Sequence, residues 1–124
     1  MIGQKYGKII NLGPIHFKVG REYVPLVSYC ASKGDVLMLT KGLAVEWAKY
    51  NITVNAFSPA CFASEMTGQL VSDEGFLRFI EANSPMKRIG ADGELNGILL
   101  CFAFDASSYT TSTYIPIDGG RTSK

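Results

Sequence analysis

The 124 residues carry 12 basic and 11 acidic side chains, a formal net charge of +1, so no long-range field favours nucleic acid or an anionic membrane. Hydrophobic residues are 47% of the chain, enough for a packed core and too many for a disordered segment, yet the longest apolar run, 98–104, is far short of a membrane span. One histidine and three scattered cysteines (Cys30, Cys61, Cys101) exclude a histidine-based metal cluster and argue against zinc or a disulfide framework; with no secretion signal at the start, the expectation is one cytoplasmic domain over 1–124, without metal, nucleic acid or membrane.

Lys8-Ile-Ile-Asn-Leu12, between Gly7 and Gly13-Pro14, reads as a buried strand. Residues 13–27 hold two glycines and two prolines and read as loop. From Ser28 to Tyr50 the pattern is helical: Val36, Leu39, Leu43, Trp47 and Tyr50 recur at spacings of three and four, and Ala31, Met38 and Val45 form a second stripe. One face is therefore expected against a sheet and the other against a helix or subunit. Ser28 is placed as the N-cap. Gly34, which costs up to about 1 kcal/mol relative to alanine inside a helix, is read as a point of close packing.

Ile52–Phe57 is rich in β-formers without clean alternation, so it reads as a strand buried on both faces, closed by Ser58-Pro59. Two weaker helical stretches fall within 60–91. The better one takes Ser72 as N-cap, Asp73 and Glu74 in the first turn, and Phe76, Leu77, Phe79 and Ile80 as its apolar face. Asp92 is expected to cap a further helix carrying Leu95, Ile98, Leu99 and Phe102. Tyr114-Ile-Pro-Ile117, followed by Asp118-Gly-Gly120, reads as the last strand, and its proline belongs at a sheet edge.

Strand, helix, strand, helices, strand predicts an α/β fold with parallel βαβ crossovers. Three strands are few for such a sheet, and the first has no edge protection beyond Lys8. The chain thus reads as the C-terminal part of a doubly wound, Rossmann-like sheet whose N-terminal βαβ half is absent. An unpaired edge is expected unless another chain or a second copy covers it.

Ser28-Tyr-Cys-Ala-Ser-Lys33 sets a tyrosine and a lysine four apart, on one helix face and one turn from each other. A free phenol, with a pKa near ~10, is a poor acid or base at neutral pH. An ammonium about 4 Å away, at an effective dielectric of about 20, favours the phenolate by roughly 4 kcal/mol at most, or up to ~3 pKa units. With six tyrosines and eight lysines in the chain, chance alone supplies about 0.4 such pairs, so spacing alone favours two ordinary helix residues.

Context changes that balance. The segments "GKIINL", "SYCASKGDVLMLTKGLAVEWAKYNITVNAFSPA", "FASEMT" and "DASSYTTSTYIPIDGG" resemble, in order and separation, the C-terminal half of the short-chain dehydrogenase/reductase family over residues 2–122. Within the family the likeness is to sugar-alcohol and sugar-acid dehydrogenases or 3-oxoacyl reductases. The resemblance implies Tyr29 as proton donor and acceptor at the substrate oxygen. It implies Lys33 as the cation that lowers the phenol's pKa and holds the nicotinamide ribose. Ser64, where the family has threonine, and the backbone near Phe62 would contact the carboxamide of NAD or NADP. Residues 64–85 would form the substrate loop.

The pattern also breaks. Gly3 and Gly7 stand four apart, but Ile9 occupies the place of a third glycine, so the family's phosphate-cradling turn has no counterpart. Neither has the residue that selects NAD or NADP. Pro14 stands at the position of the family's catalytic serine and has no hydroxyl to donate. His16 reads as a loop histidine. Ala60 and Ser112 replace glycines that tolerate positive φ. The expected function is an NAD(P)-dependent oxidoreductase on a small alcohol or carbonyl compound, inactive as the isolated chain. A non-catalytic module, associating with itself or with a complementary chain, and a fragment of a longer product remain as alternatives.

Overall fold

The computed structural model of the protein describes residues 1–13, 15, 27–68 and 72–123; for residues 27–30, 32, 33 and 66 it describes the backbone alone. Two apolar runs become parallel neighbours: β1 (Gly7–Leu12) pairs with β2 (Ile52–Pro59), from Gly7 opposite Ile52 to Leu12 opposite Phe57. Helix α1 (Val27–Trp47) links them, and a 3₁₀ turn, Ala48–Tyr50, takes up the last residues expected to be α-helical. After α2 (Glu74–Asn83) and α3 (Asn96–Ala103), β3 (Tyr114–Ile117) adds in parallel on the far side of β2. The order is β1-β2-β3, so β2 is central and Pro116 lies in an edge strand.

Residues 52–58 are all buried, as expected of a strand covered on both faces. Ile52 and Val54 meet Ala44 of α1, with Ile9, Leu43, Trp47 and Tyr50 packed around them. Alternation puts Ile9 and Asn11 on the α1 face of β1 and Lys8 on the opposite face, where its ammonium donates to Phe104 O at the end of α3 (3.0 Å). Burying a Val, Ile or Phe side chain contributes roughly 1.5–3 kcal/mol, and Ile15, Ile52, Val54, Phe57, Ile80 and Phe102 are each at most 5% exposed.

Several local expectations are corrected. The buried line of α1 is Thr40 and Ala44; Leu39 is 54% exposed, and the second stripe (Ala31, Met38, Val45) faces out. Among the described residues no atom lies within 4 Å of a Cβ built on Gly34, so close packing does not explain it. Ser28 falls inside the first turn of α1, which begins at Val27. Asp73, not Ser72, caps α2, because its carboxylate accepts from Phe76 N (2.7 Å). Asp92 caps nothing: α3 starts at Asn96, without a side-chain cap.

A polar core residue ties the last crossover down. Asn55, 1% exposed, donates to Thr110 O (2.8 Å) and accepts from Thr113 N (3.0 Å). Replacing it by alanine leaves both backbone groups without that partner in the interior. We expect Asn55→Ala to lose about 2–4 kcal/mol in urea unfolding, and a loss below about 1 kcal/mol would refute the clamp. Between those anchors Ser112 sits at φ +63°, its N–H donating to Val54 O (2.8 Å). A non-glycine residue there is strained, so Ser112→Gly should gain about 0.5–1 kcal/mol and raise Tm by about 2–4 °C. Ala60, the other glycine replacement, does not adopt positive φ and carries no such strain.

Candidate active site at the carboxyl ends of the strands

In parallel α/β sheets, ligands bind beyond the carboxyl ends of the strands. Here those ends are stitched together: Gly13 N donates to Phe57 O and Ala60 N to Ile117 O, both at 2.9 Å. A Cβ on Gly13 would lie 2.8 Å from Ser58 Oγ, 3.2 Å from the Tyr114 ring and 3.3 Å from Leu37 Cδ2, so only glycine fits where β1 leaves the sheet.

Helix α1 runs back along the sheet, and its register can be read from two contacts. Asn11 Nδ2 donates to Thr40 Oγ1 (2.9 Å), and Leu37 lies beside Gly13. Residues before Leu37 therefore project past the carboxyl end of β1. At 1.5 Å per residue, Lys33 stands about 10 Å and Tyr29 about 16 Å beyond Thr40. At about 100° per residue, both fall within about 20° of Thr40 around the helix. Tyr29 and Lys33 thus share the sheet-facing line of α1, one turn apart. Pro14 and His16 lie outside the described residues.

Phe62 and Ser64 follow the carboxyl end of β2. Phe62 forms an isolated parallel bridge with Gly90, and its ring occupies the space a Cβ at Gly90 would need. Ala63 N donates to Gly90 O and Gly90 N to Cys61 O, both at 2.9 Å, closing the base of the excursion that carries α2. Ser64 is exposed and caps the turn Glu65–Thr67: its Oγ accepts from Thr67 N (3.3 Å) while its own N–H donates to Thr67 Oγ1 (2.8 Å). Thr67 Oγ1 also donates to Phe62 O (2.7 Å). Thr67, which the sequence did not single out, is what holds the Phe62–Ser64 backbone in place.

A cleft of about 170 Å³ opens beside this segment, lined in part by Cys61, Phe62, Ser84, Arg88, Asp118 and Arg121. Burial pushes the Asp118 carboxyl up, but the Thr122 hydroxyl and amide, together with the Gly120 and Arg121 amides, outweigh it and hold the group below its ordinary value. Burial pushes the Tyr114 phenol up, so it is no rival acid or base near neutral pH. Arg88 grips Glu94 through two bonds (2.7 and 2.8 Å), and Ala91 N donates to the same carboxylate (2.6 Å). The Arg88 hydrogen bond first, then Ala91, lower Glu94 from 4.5 to about 2. A lowered carboxyl stabilises the fold above its unfolded pKa and loses that contribution as pH falls through the folded one. The midpoint difference between wild type and Glu94→Gln in urea should therefore be constant above pH 4.5 and vanish towards pH 2.

Of the positions expected at the nicotinamide end of a dinucleotide, the structure shows an exposed Ser64 and an ordered backbone at Phe62 after β2, with Lys33 on α1. Among the described residues no glycine-rich turn is placed to cradle a pyrophosphate. Gly7 opens β1 itself, and a 3₁₀ turn at Ile2–Gln4, not a strand, precedes it. Among the described residues no three His, Cys, Asp or Glu converge as a metal site, and no helix is long and apolar enough to cross a membrane.

A family model described as enoyl-(acyl carrier protein) reductase matches residues 1–122. The 5-keto-D-gluconate 5-reductase of Escherichia coli (strain K12) is 38% identical over 120 residues, covering 97% of this chain and 46% of the relative. The gluconate 5-dehydrogenase of Gluconobacter oxydans (strain 621H) is 35% identical over 122 residues, covering 98% and 47%. Among solved structures, a gluconate 5-dehydrogenase from Burkholderia cenocepacia J2315, in complex with NADP and tartrate, superposes with a TM-score of 0.89 at 35% identity, covering 99% of this chain and 48% of the other. The chain spans about half the length of these relatives, and its three-stranded sheet is part of a Rossmann-like fold. It belongs to the short-chain dehydrogenase/reductase family.

Proposed function

We propose that residues 1–124 are a single partial Rossmann-like domain carrying the proton-transfer half of an NAD(P)-dependent oxidoreductase. Its substrate is a small sugar-derived alcohol or ketone of the sugar-acid kind named for its relatives. One observation carries the reading: α1 sets Tyr29 and Lys33 on its sheet-facing line, past the strand ends, while Ser64 and Phe62 follow the end of the adjacent strand. The Tyr29 phenol gives a proton to the carbonyl oxygen in reduction and takes it back in oxidation. The Lys33 ammonium makes the phenolate accessible near neutral pH and holds the ribose. The nicotinamide, when bound, supplies or accepts the hydride.

Without a pyrophosphate cradle, and with Pro14 at the serine position, the 124-residue polypeptide alone does not bind the dinucleotide productively. A fluorescence titration with NADPH should be flat for the isolated chain. NADPH oxidation with 5-keto-D-gluconate should appear once a relative's dinucleotide-binding half is joined to it. Saturable binding by the isolated chain, or no turnover after the joining, would sink this reading.

A second reading, association with a copy or with a complementary chain, is favoured by exposed apolar residues. Met38 (66%) and Val45 (78%) lie on the outer side of α1, and among the described residues β1 is paired only with β2. Light scattering should report an oligomer; a monodisperse monomer would count against it.

A further inference from the structure

We infer that Thr40 and Asn11 are positioning residues that lock the rotation of α1 and so fix where Tyr29 and Lys33 stand; this deepens the function proposed above and rests on it. The interface between α1 and the sheet is mostly apolar and smooth. Ala44 is 2% exposed against Ile52 and Val54, and such contacts have no preferred direction. A hydrogen bond does have one. Thr40, 2% exposed, accepts from Asn11 Nδ2 (2.9 Å) and donates to Val36 O (2.7 Å), so the bond joins helix to strand at one rotational setting. Lys33 and Tyr29 lie two and three turns further on, within about 20° of Thr40. The locked line is thus the line that carries the proposed proton donor and its cation.

The lever is long enough to matter. A side-chain tip about 5 Å from the helix axis moves about 2 Å when the helix turns by 20°. A misplacement of about 1 Å can cost 10²-fold in rate. Thr40 accordingly uses a buried hydroxyl where valine would fill the same volume.

Three variants separate positioning from plain stability: Thr40→Val, which keeps the shape; Thr40→Ser, which keeps the hydroxyl; and Ala44→Gly, which loosens the same interface. In the whole protein, with the dinucleotide-binding half present, Thr40→Val should lower kcat by about 10–100-fold with KM within about 2-fold. Thr40→Ser should restore most of kcat. Ala44→Gly should lower Tm and leave kcat nearly unchanged. The Tyr29 ring resonances, assigned by their loss in Tyr29→Phe, should broaden or shift in Thr40→Val and stay in place in the other two. The ring signals need no turnover, so they test the lock even if the functional reading fails. Unchanged Tyr29 signals in Thr40→Val, or no rescue by serine, would overturn it.

Discussion

With a dinucleotide-binding half joined to the chain, replacing Tyr29 by phenylalanine is expected to cut kcat/KM for NADPH-dependent reduction of a 5-keto sugar acid by roughly 10²–10⁴-fold, the usual worth of a positioned proton donor. The ring is kept, so the loss would report the hydroxyl alone. Lys33→Met should act through the same group: without the ammonium, the Tyr29 phenol returns towards ~10. Alcohol oxidation needs the phenolate, so its half-maximal pH should climb by up to ~3 units when that cation is removed. Tyr114→Phe, by contrast, should leave both the rate and its pH dependence close to wild type. Retention of activity within about 3-fold in Tyr29→Phe would remove the tyrosine from the mechanism.

Pro14→Ser is the second large effect, and its sign is a gain. A hydroxyl donor at a developing alkoxide is worth roughly 10²–10³ in kcat where its removal has been measured in other enzymes. Gly13, the residue before Pro14, is held to Phe57 O and wedged between Ser58 and Tyr114 at the carboxyl end of the sheet. With a dinucleotide-binding half supplied, Pro14→Ser should raise turnover by about 10²-fold. The gain should disappear in the double variant with Tyr29→Phe, because a hydrogen bond to the substrate oxygen helps only if the proton arrives. An equal gain in both backgrounds would place the effect in folding of the loop.

Local pattern alone made β2 legible, because it is rich in β-formers and lacks the clean apolar–polar alternation of a strand with one face in water. The spacing of Tyr29 and Lys33 made their shared face legible, since four residues are one turn. Pro116 marked the edge strand, and the replacement of a glycine at Ser112 foretold the strained backbone found there. The caps of α2 and α3 were misread. Ser72 and Asp73 are both good caps, and Glu94, not Asp92, is the acidic residue committed near α3, to Arg88.

The sequence by itself determined the order of strands and helices and set Tyr29 and Lys33 one helical turn apart, because each depends on residues within a few positions of one another. Only the tertiary structure decided which line of α1 turns inward. Periodicity favoured Val36, Leu39, Leu43, Trp47 and Tyr50; Leu43, Trp47 and Tyr50 do pack against the core, but the fold turned Leu39 out and buried Thr40 and Ala44 most deeply. A threonine belongs in a core only if its hydroxyl finds a partner, and that partner, Asn11, is 29 residues away on β1. Asn55 likewise finds its backbone partners 55 and 58 residues downstream. Buried polar groups are settled by contacts remote in sequence, and no local pattern records them.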